Sequence, residues 1–510
     1  MKTVEFLKGP RFNQRANDHY VMMEEDFLLV DYASEDWIEQ LQHYVARHKQ
    51  EQVGRLQELM RYFKGDNNIK YRAAKTDDTE ADNRISSDFA KYITIFEQGY
   101  MLGNPVEYKN DDGQLQDLIK DFSKRNNEKR HNISLKKDLC VYGRAYELLT
   151  VTKTGSVVWV KLYKLSPEQT FVIYDDSYER HSLMGVNYYE LDYGQSKRKT
   201  VIKVYTVDKI YTYDWLSTQG DKMALREVED HFFNGVPINE YANNEERLGS
   251  YESVLDNIDA YDLSQSELAN FQQNSNEAIL LIKGNAYTGA DEEDFLADGR
   301  INPNGRLGIS LAYKRAKMLI LDDNPNQDGV EPDASYLVKS YDSQGAEAYK
   351  QRLVNDILRF TFTPDTLDSN FAGVQSGESM KYKMMASDNY REQQEDLFEA
   401  GLMRRLRLAV NIWSIKGTEA TNYEQINETS VVFTPNKPQN QSELATTVKN
   451  LYGIVSDQTV FELLSLVTGV DALAEMNRLK QEKGDEDKGG EPSSRFGEVI
   501  AHDQEETSPS

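Results

Sequence analysis

Cysteine is all but absent. Cys140 stands alone in a chain of 510 residues, which excludes an internal disulfide and suits a reducing compartment. Its setting, LCVYGRAYELLTV, reads as a strand in which it is a small, semi-buried filler. No run of about eighteen apolar residues occurs, so no transmembrane helix is expected. MKTVEFLKGPRFNQ places no apolar segment behind its lysine, so no secretory signal is expected either. The expectation is a soluble chain, long enough for two to four units of ordinary domain size. Basic charge is also short: 59 lysines and arginines face 85 acids, a formal charge of −26. A field of that sign cannot neutralise phosphates, so any contact with nucleic acid must be local or weak.

Signatures of catalysis are missing too. Neither GxxxxGK(S/T) nor a GxGxxG turn after a strand is present, which argues against nucleotide hydrolysis. His43 and His48 are five apart, fall on different helix faces, and fail the HExxH geometry. DDNPNQDGVEPDAS resembles a calcium loop only faintly: Asn324 stands first, Pro325 intrudes, and Ser335 occupies the position where glutamate is needed. GVQSGES does not satisfy GxSxG, and Ser376 reads as an N-terminal helix signal. With 85 acids, the proximity of two of them discriminates nothing. No metal, cofactor or catalytic residue is expected. One basic cluster stands out, Lys314, Arg315 and Lys317 in KRAK, and it reads as a solvated strand edge or a partner contact.

What is present is a mixture of helix and strand, an α+β class. Residues 35–64 and 83–102 carry helical spacing. From 139 to 215, β-branched and aromatic runs separated by Gly and Asp turns read as a meandering antiparallel sheet. A helix is expected from about Tyr251 to Gln273, with Val254, Ile258, Tyr261 and Leu268 on one face and Glu252, Asp256, Asp259 and Glu267 on the other. Residues 277–341 form a small insertion with strands in EAILLIKG, ISLAYKRAKMLIL and SYLVKSY. A second amphipathic helix follows from about Ser343 to Phe360, aligning Ala346, Tyr349, Leu353, Ile357 and Phe360 and ended by Pro364; Arg352 and Arg359 lie off that stripe. A long helix runs from Glu378 to about Trp413, with Met380, Met384, Phe398, Leu402 and Ala409 on one face. Arg391 and Gln394 interrupt that face, and Gly401 is expected to bend the helix. Helices are expected over 443–482. The tail from Gly484 is poor in large apolar residues and is expected to be disordered.

Between the last two helices named lies TPDTLDSNFAGVQSGESMKYKMM. A passive connector usually needs only about four to six residues. Taken with NRISSDFAKYITIFEQGYMLGNPVEY, DLCVYGRAYELLTV and VPINEYANNEERLGSYESVLDNIDAYDLSQSE, the ordered series resembles the portal proteins of tailed double-stranded DNA bacteriophages, of the Gram-positive siphophage type. The resemblance runs from about Tyr62 to Trp413, and more loosely to Lys483.

That resemblance implies a ring, usually of twelve subunits, at one capsid vertex. Genome passes through it during packaging and ejection, and terminase, the head-tail connector, and the major capsid and scaffolding proteins contact it. It maps the chain as an N-terminal arm (1–24), a first wing part (25–250), stem helix 1 (251–273), a clip (274–341), stem helix 2 (342–361), a tunnel loop (362–376), a long wing helix (377–414), a crown (415–483) and an acidic tail (484–510). The DNA-facing loop would comprise Thr363, Asp365, Thr366, Leu367, Asp368, Ser369, Asn370, Phe371, Ala372, Gly373, Val374 and Gln375, with Phe371 and Leu367 able to pack loop on loop. Lys381 and Lys383 would offer phosphate contacts, unless Lys381 pairs with Glu378 one turn earlier. Asp256 or Asp259 would pair with Arg352 or Arg359 across stem helices, within or between subunits. Two other classes stay open at this point: a soluble metal-dependent hydrolase or nuclease with an acidic site, and a homo-oligomeric scaffold without a DNA channel.

Overall fold

The structure is a computed structural model describing residues 10–75, 81–154, 157–192, 194, 198–216, 222–275, 279–283, 293–316, 333–337, 342–365, 377–416, 423–437, 441–468, 470 and 472–486. In chain order the strands are β1 (Tyr20–Val21), β2 (Glu107–Lys109), β3 (Arg144–Thr154), β4 (Val157–Leu165), β5 (Thr170–Tyr174), β6 (Ser182–Asp192), β7 (Arg198–Tyr205), β8 (Lys209–Leu216), β9 (Lys222–Asp230), β10 (Ile238–Ala242), β11 (Ile279–Lys283), β12 (Asp333–Leu337) and β13 (Ser430–Val432). The helices are α1 (Glu24–Leu28), α2 (Glu35–Arg47), α3 (Gly54–Phe63), α4 (Phe89–Leu102), α5 (Gly113–Asn126), α6 (Glu128–Tyr142), α7 (Leu255–Ser275), α8 (Arg306–Ala316), α9 (Ser343–Phe360), α10 (Gly377–Lys416), α11 (Tyr423–Ile426), α12 (Gln441–Leu451), α13 (Asp457–Thr468) and α14 (Ala472–Glu486).

The chain divides into two compact units, residues 1–366 with 385–435, and residues 367–384 with 436–510. In the first, the expected meander is split between two sheets. A six-stranded sheet runs β1-β5-β6-β7-β8-β9, and β3 and β4 leave it to join β10 in a separate three-stranded sheet. Ser34 caps α2 by accepting the Trp37 N–H at 3.2 Å, as a side-chain oxygen at that position should. Trp37, Leu41 and Val45 recur at four-residue intervals and bury one helix face against Phe171, Ile173, Val186 and Ile202 of the large sheet. A π-helical turn over His48–Val53 joins α2 to α3, so the predicted 35–64 helix is continuous in all but its hydrogen-bond register.

Two expectations fail for identifiable reasons. LCVY is the last turn of α6 rather than a strand, and Cys140 is fully buried there. Gly143 stops that helix at φ +81, where its N–H returns to the Leu139 carbonyl at 2.8 Å, and the strand begins at Arg144. A side chain at Gly143 would also meet the Arg247 carbonyl at 2.0 Å, so the helix-to-strand junction requires glycine twice over. ISLAYKRA likewise forms α8, not a strand. Leu307 and Leu311 lie one turn apart, and the preceding NPNG turn lets the Ile309 N–H reach the Gly305 carbonyl at 3.0 Å. The flanking strands of that insertion do pair, Ile279 to Leu337 through Lys283 to Asp333.

Helix α10 spans 40 residues, about 60 Å at 1.5 Å per residue. Phe398, Leu402, Leu406 and Ala409 are buried against Leu115, Ile119, Leu135 and Leu139 of α5 and α6, helices that the pattern reading had not singled out. Gly401 does not interrupt α10. It is glycine because a Cβ there would lie 2.2 Å from the Tyr241 ring. In the second unit, α12, α13 and α14 form the helical array expected over 443–482, with Val448, Val460 and Phe461 buried.

Candidate functional site

The two helices expected to form the stem, α7 and α9, pack on each other. Val254, just before α7, and Ile258, Leu353 and Ile357 are buried, and Lys350 Nζ of α9 donates to the side-chain Oε1 of Gln265 on α7 at 3.0 Å. Tyr261 is half-buried, edge-on to Phe89 at 5.0 Å between ring centres, and Leu268 is half-buried. Tyr349 departs from the expected packing: it is 50 % exposed, as are Phe360 at 53 % and Phe362 at 44 %. The inner stripe thus makes the pair, while an apolar remnant faces outward along α9.

The acidic face of α7 is engaged within the chain, although Asp256 stays largely exposed. Arg11 donates to Asp256 Oδ1 and Asp259 Oδ2, both at 2.8 Å, and Tyr62 donates to Asp259 Oδ1 at 2.5 Å. Asn67 Nδ2 and the Ser87 N–H reach the Asp262 carboxylate at 2.6 and 2.8 Å. Further along, the Ile85 N–H reaches Ser266 Oγ at 2.9 Å, and the Asn83 N–H reaches Asn270 Oδ1 at 2.6 Å. Residues from three early segments therefore strap the helix. Burial pushes the Asp262 carboxyl up to about 6, although the donors from Ser87 and Asn67 pull the other way. Within the chain the acids engage Arg11 rather than Arg352 or Arg359. Among the described residues Arg352 pairs with Asp356 alone, at 3.7 Å, and Arg359 is exposed and makes no ion pair. Arg11, Tyr62 and Asn67 were missed because each meets α7 across nearly two hundred residues or more, where no local pattern reports contact.

The expected tunnel loop begins where α9 stops. Thr361 Oγ1 returns to the Ile357 carbonyl at 2.9 Å, and the Thr363 N–H to the Leu358 carbonyl at 2.9 Å. Phe362 sits at φ +54, a conformation costly for an aromatic residue. It is held by Ser387 Oγ donating to its carbonyl at 2.5 Å and by stacking on Tyr390 at 4.9 Å. Thr363 itself is buried, with its hydroxyl 3.1 Å from Thr361 Oγ1, so it anchors the loop instead of facing a channel. Asp365 is half-buried. Residues Thr366 to Gln375, Ser376 and the Lys381 side chain lie outside the described residues, and Lys383 is half-buried. Of the basic cluster, Arg315 is exposed on α8, while the Lys314 side chain and Lys317 lie outside the described residues.

Arg391 and Gln394, the polar breaks in the α10 stripe, fill the space beside this anchor. Gln394 accepts from Lys136 Nζ at 2.7 Å and donates to Asn243 Oδ1 at 3.0 Å; Lys136 also meets Glu97 at 3.2 Å. Burial, with Glu97 alongside, pushes the Cys140 thiol far up, so it is no nucleophile at neutral pH. Deeper in, Arg405 pairs with Glu147 at 2.8 Å and Glu128 at 2.7 Å. Burial raises the Glu147 carboxyl, but Arg405 and His131 outweigh it and hold the group well below the usual range. These buried charges are paired with one another inside the fold. Among the described residues, no group of three or more His, Cys, Asp or Glu is placed to hold a metal ion, and no helix is long and apolar enough to cross a membrane.

The family described as phage portal protein, SPP1 Gp6-like, matches residues 42–489. The portal protein of Bacillus phage SPP1 is 23% identical over 472 residues, 84% of this chain and 86% of that one. Among solved structures, a chain from the neck of an empty GTA particle gives a TM-score of 0.38 at 12% identity, covering 82% of this chain and 94% of its own length. A chain from the virion of a native gene transfer agent particle gives 0.37 at 12% identity, with 80% and 93% covered.

Proposed function

Because this chain belongs to the SPP1 Gp6-like family of phage portal proteins, we propose that copies of it close into a ring, of twelve subunits in the usual case, at one vertex of a capsid. Double-stranded DNA passes through the centre without sequence recognition. The observation that carries this reading is the α7–α9 pair. Its inner stripe is buried within one chain, yet Tyr349, Phe360 and Phe362 remain exposed, and an exposed apolar strip of that kind needs a neighbour. Arg359, free among the described residues, and Asp256, whose side chain is 86% exposed despite Arg11, suit an ion pair between adjacent copies.

The loop after Thr363 then points into the bore. Its glycine, serine and asparagine permit several backbone conformations, so identical copies can adjust to a duplex whose symmetry differs from theirs. A formal charge of −26 lets DNA slide, where a basic bore would hold it; Lys381 and Lys383 supply weak phosphate contacts. Residues 274–341, with Lys314, Arg315 and Lys317, dock terminase during packaging and the connector afterwards. Capsid and scaffolding proteins meet the wing. The chain has no catalysis of its own, and it works within the virion after assembly in the host cytoplasm.

Native mass spectrometry with negative-stain imaging tests this. A closed annulus with a hole wide enough for duplex DNA is the expected result. A monomer, or a ring too narrow for the duplex, overturns it.

A further inference from the structure

One cleft in the first unit is unlike the rest of the surface. It is about 650 Å³ and is lined along one side by α10 from Leu397 to Asn411, a span of about 20 Å. Its opposite wall is β10 with the loop before β6. The floor is apolar, contributed by Val172, Val207, Val236, Ile238 and Leu408. Arg404 of α10 also lines the cleft. It donates to the carbonyls of Val236 and Ile238, both at 3.1 Å, and to Ser182 Oγ at 2.8 Å. Those two carbonyls alternate with that of Pro237, which faces β3 and accepts the Leu149 N–H, so Arg404 seals the outer edge of β10 at the cleft.

Arg180 and Arg407 flank it, both exposed. Arg180 is fixed by a tight loop in which Asp175 Oδ1 accepts the Ser177 and His181 N–H groups at 3.2 and 2.9 Å. Arg407 donates to Asn427 Oδ1 at 2.8 Å. Among the described residues none of these three arginines has a carboxylate partner, in a chain where acids outnumber bases 85 to 59. Glu179 at the mouth lies 3.0 Å from His181 Nε2 and keeps its negative charge there, while Glu240 pairs with Arg247 at 2.8 Å. The cleft is therefore apolar beneath, with three arginines that make no ion pair among the described residues and with Glu179 and Glu240 beside them.

The complementary surface is on the same chain. Helix α1 carries Glu24, Glu25 and Asp26, none in an ion pair among the described residues, beside Met23, Leu28 and Leu29, which are 58, 75 and 83% exposed. It cannot reach the cleft of its own chain. Phe27 and Val30 pack with Phe171 and Ile173 on one face of the large sheet, while Val172 and Tyr174 turn to the other, the cleft side. Two complementary patches on opposite faces are what a head-to-tail contact between identical subunits requires, and such contacts generate rings when the rotation closes.

We propose that the α1 turn, Met23–Leu29, of one copy seats in this cleft of the next, with Leu28 and Leu29 on the apolar floor and the acids against Arg180, Arg404 and Arg407. The inference rests on the ring reading above and names a contact within it.

Reversal of each patch, and of both in one chain, tests it. Glu24→Arg with Glu25→Arg, and separately Arg180→Glu with Arg407→Glu, should each weaken assembly about tenfold or more and lower the salt concentration at which rings dissociate. A chain carrying all four changes should recover. Arg404 is left intact because it holds β10, and circular-dichroism melts of the four chains check that folding is unchanged. Loss without recovery, or loss only for the cleft variant, overturns the assignment of α1 as occupant. Rings of unchanged salt resistance in every variant overturn the contact but leave the ring standing. A wild-type monomer at all concentrations overturns both.

Discussion

At the scale of single residues, buried charge decides more of this molecule than its surface charge does. Arg405 is enclosed with Glu147, Glu128 and Asn132, and Tyr241 donates to the same Glu147 at 2.6 Å. Replacing Arg405 with Met deprives two buried carboxylates of their arginine and leaves His131 beside Glu147 alone, and urea unfolding should show a loss of about 3–5 kcal/mol. A loss under about 1 kcal/mol would mean water already reaches the site. Asp262 gives a pH-dependent counterpart. Its folded pKa, about 6, lies above the ordinary value of about 3.9, so the folded state binds its proton more tightly. That contribution is complete below about pH 4 and is lost as pH rises towards 6. The melting temperature of the wild type minus that of Asp262→Asn should therefore fall between about pH 4 and 6 and then level; a difference that rises over that range would contradict the burial argument. His48 works in the opposite sense. Buried, with Tyr188 at 2.8 Å, it is held down to about 3, so its contribution is present above about pH 6.5 and drains away in acid.

At the scale of elements, what was legible was whatever a local period could report. The helix expected from about Ser343 to Phe360 is found at those residues, because its apolar stripe and Pro364 speak within a few positions. The α10 stripe was legible for the same reason, and its polar breaks at Arg391 and Gln394 marked a buried network. Cys140 was misplaced because only Gly143 and Arg144 separate LCVY from AYELLTV, and Arg144 is buried, so the helix-to-strand change rests on Gly143. The straps on α7 were invisible, since a carboxylate on a helix looks the same whether it meets Arg11 or water. Gly401 also carried a meaning that only the fold reveals. Gly401→Ala should cost about 1–3 kcal/mol by crowding Tyr241, and a neutral result in thermal melts would show that the ring can step aside. On α9, Tyr349→Ser and Phe360→Ser should change unfolding free energy by no more than about 0.5 kcal/mol while shifting assembly towards smaller species in sedimentation velocity. Equal effects on both would place these side chains in the subunit's own core.

For the whole molecule, the sequence established class and family through the order of its segments, since the match spans residues 42–489 although identity to the SPP1 portal protein is only 23%. It could not supply the subunit interface, because exposed apolar residues such as Leu28 and Phe360 have no periodic signature separating them from core. The account stands or falls on where the insert after Thr363 lies in the assembly. Gly373→Cys labelled with a small gold cluster answers this directly, because the one native thiol, Cys140, is fully buried and will not compete. Electron micrographs of the labelled particles should show rings with gold on the symmetry axis. Gold at the outer rim, or labelled protein that forms no ring, would contradict the account.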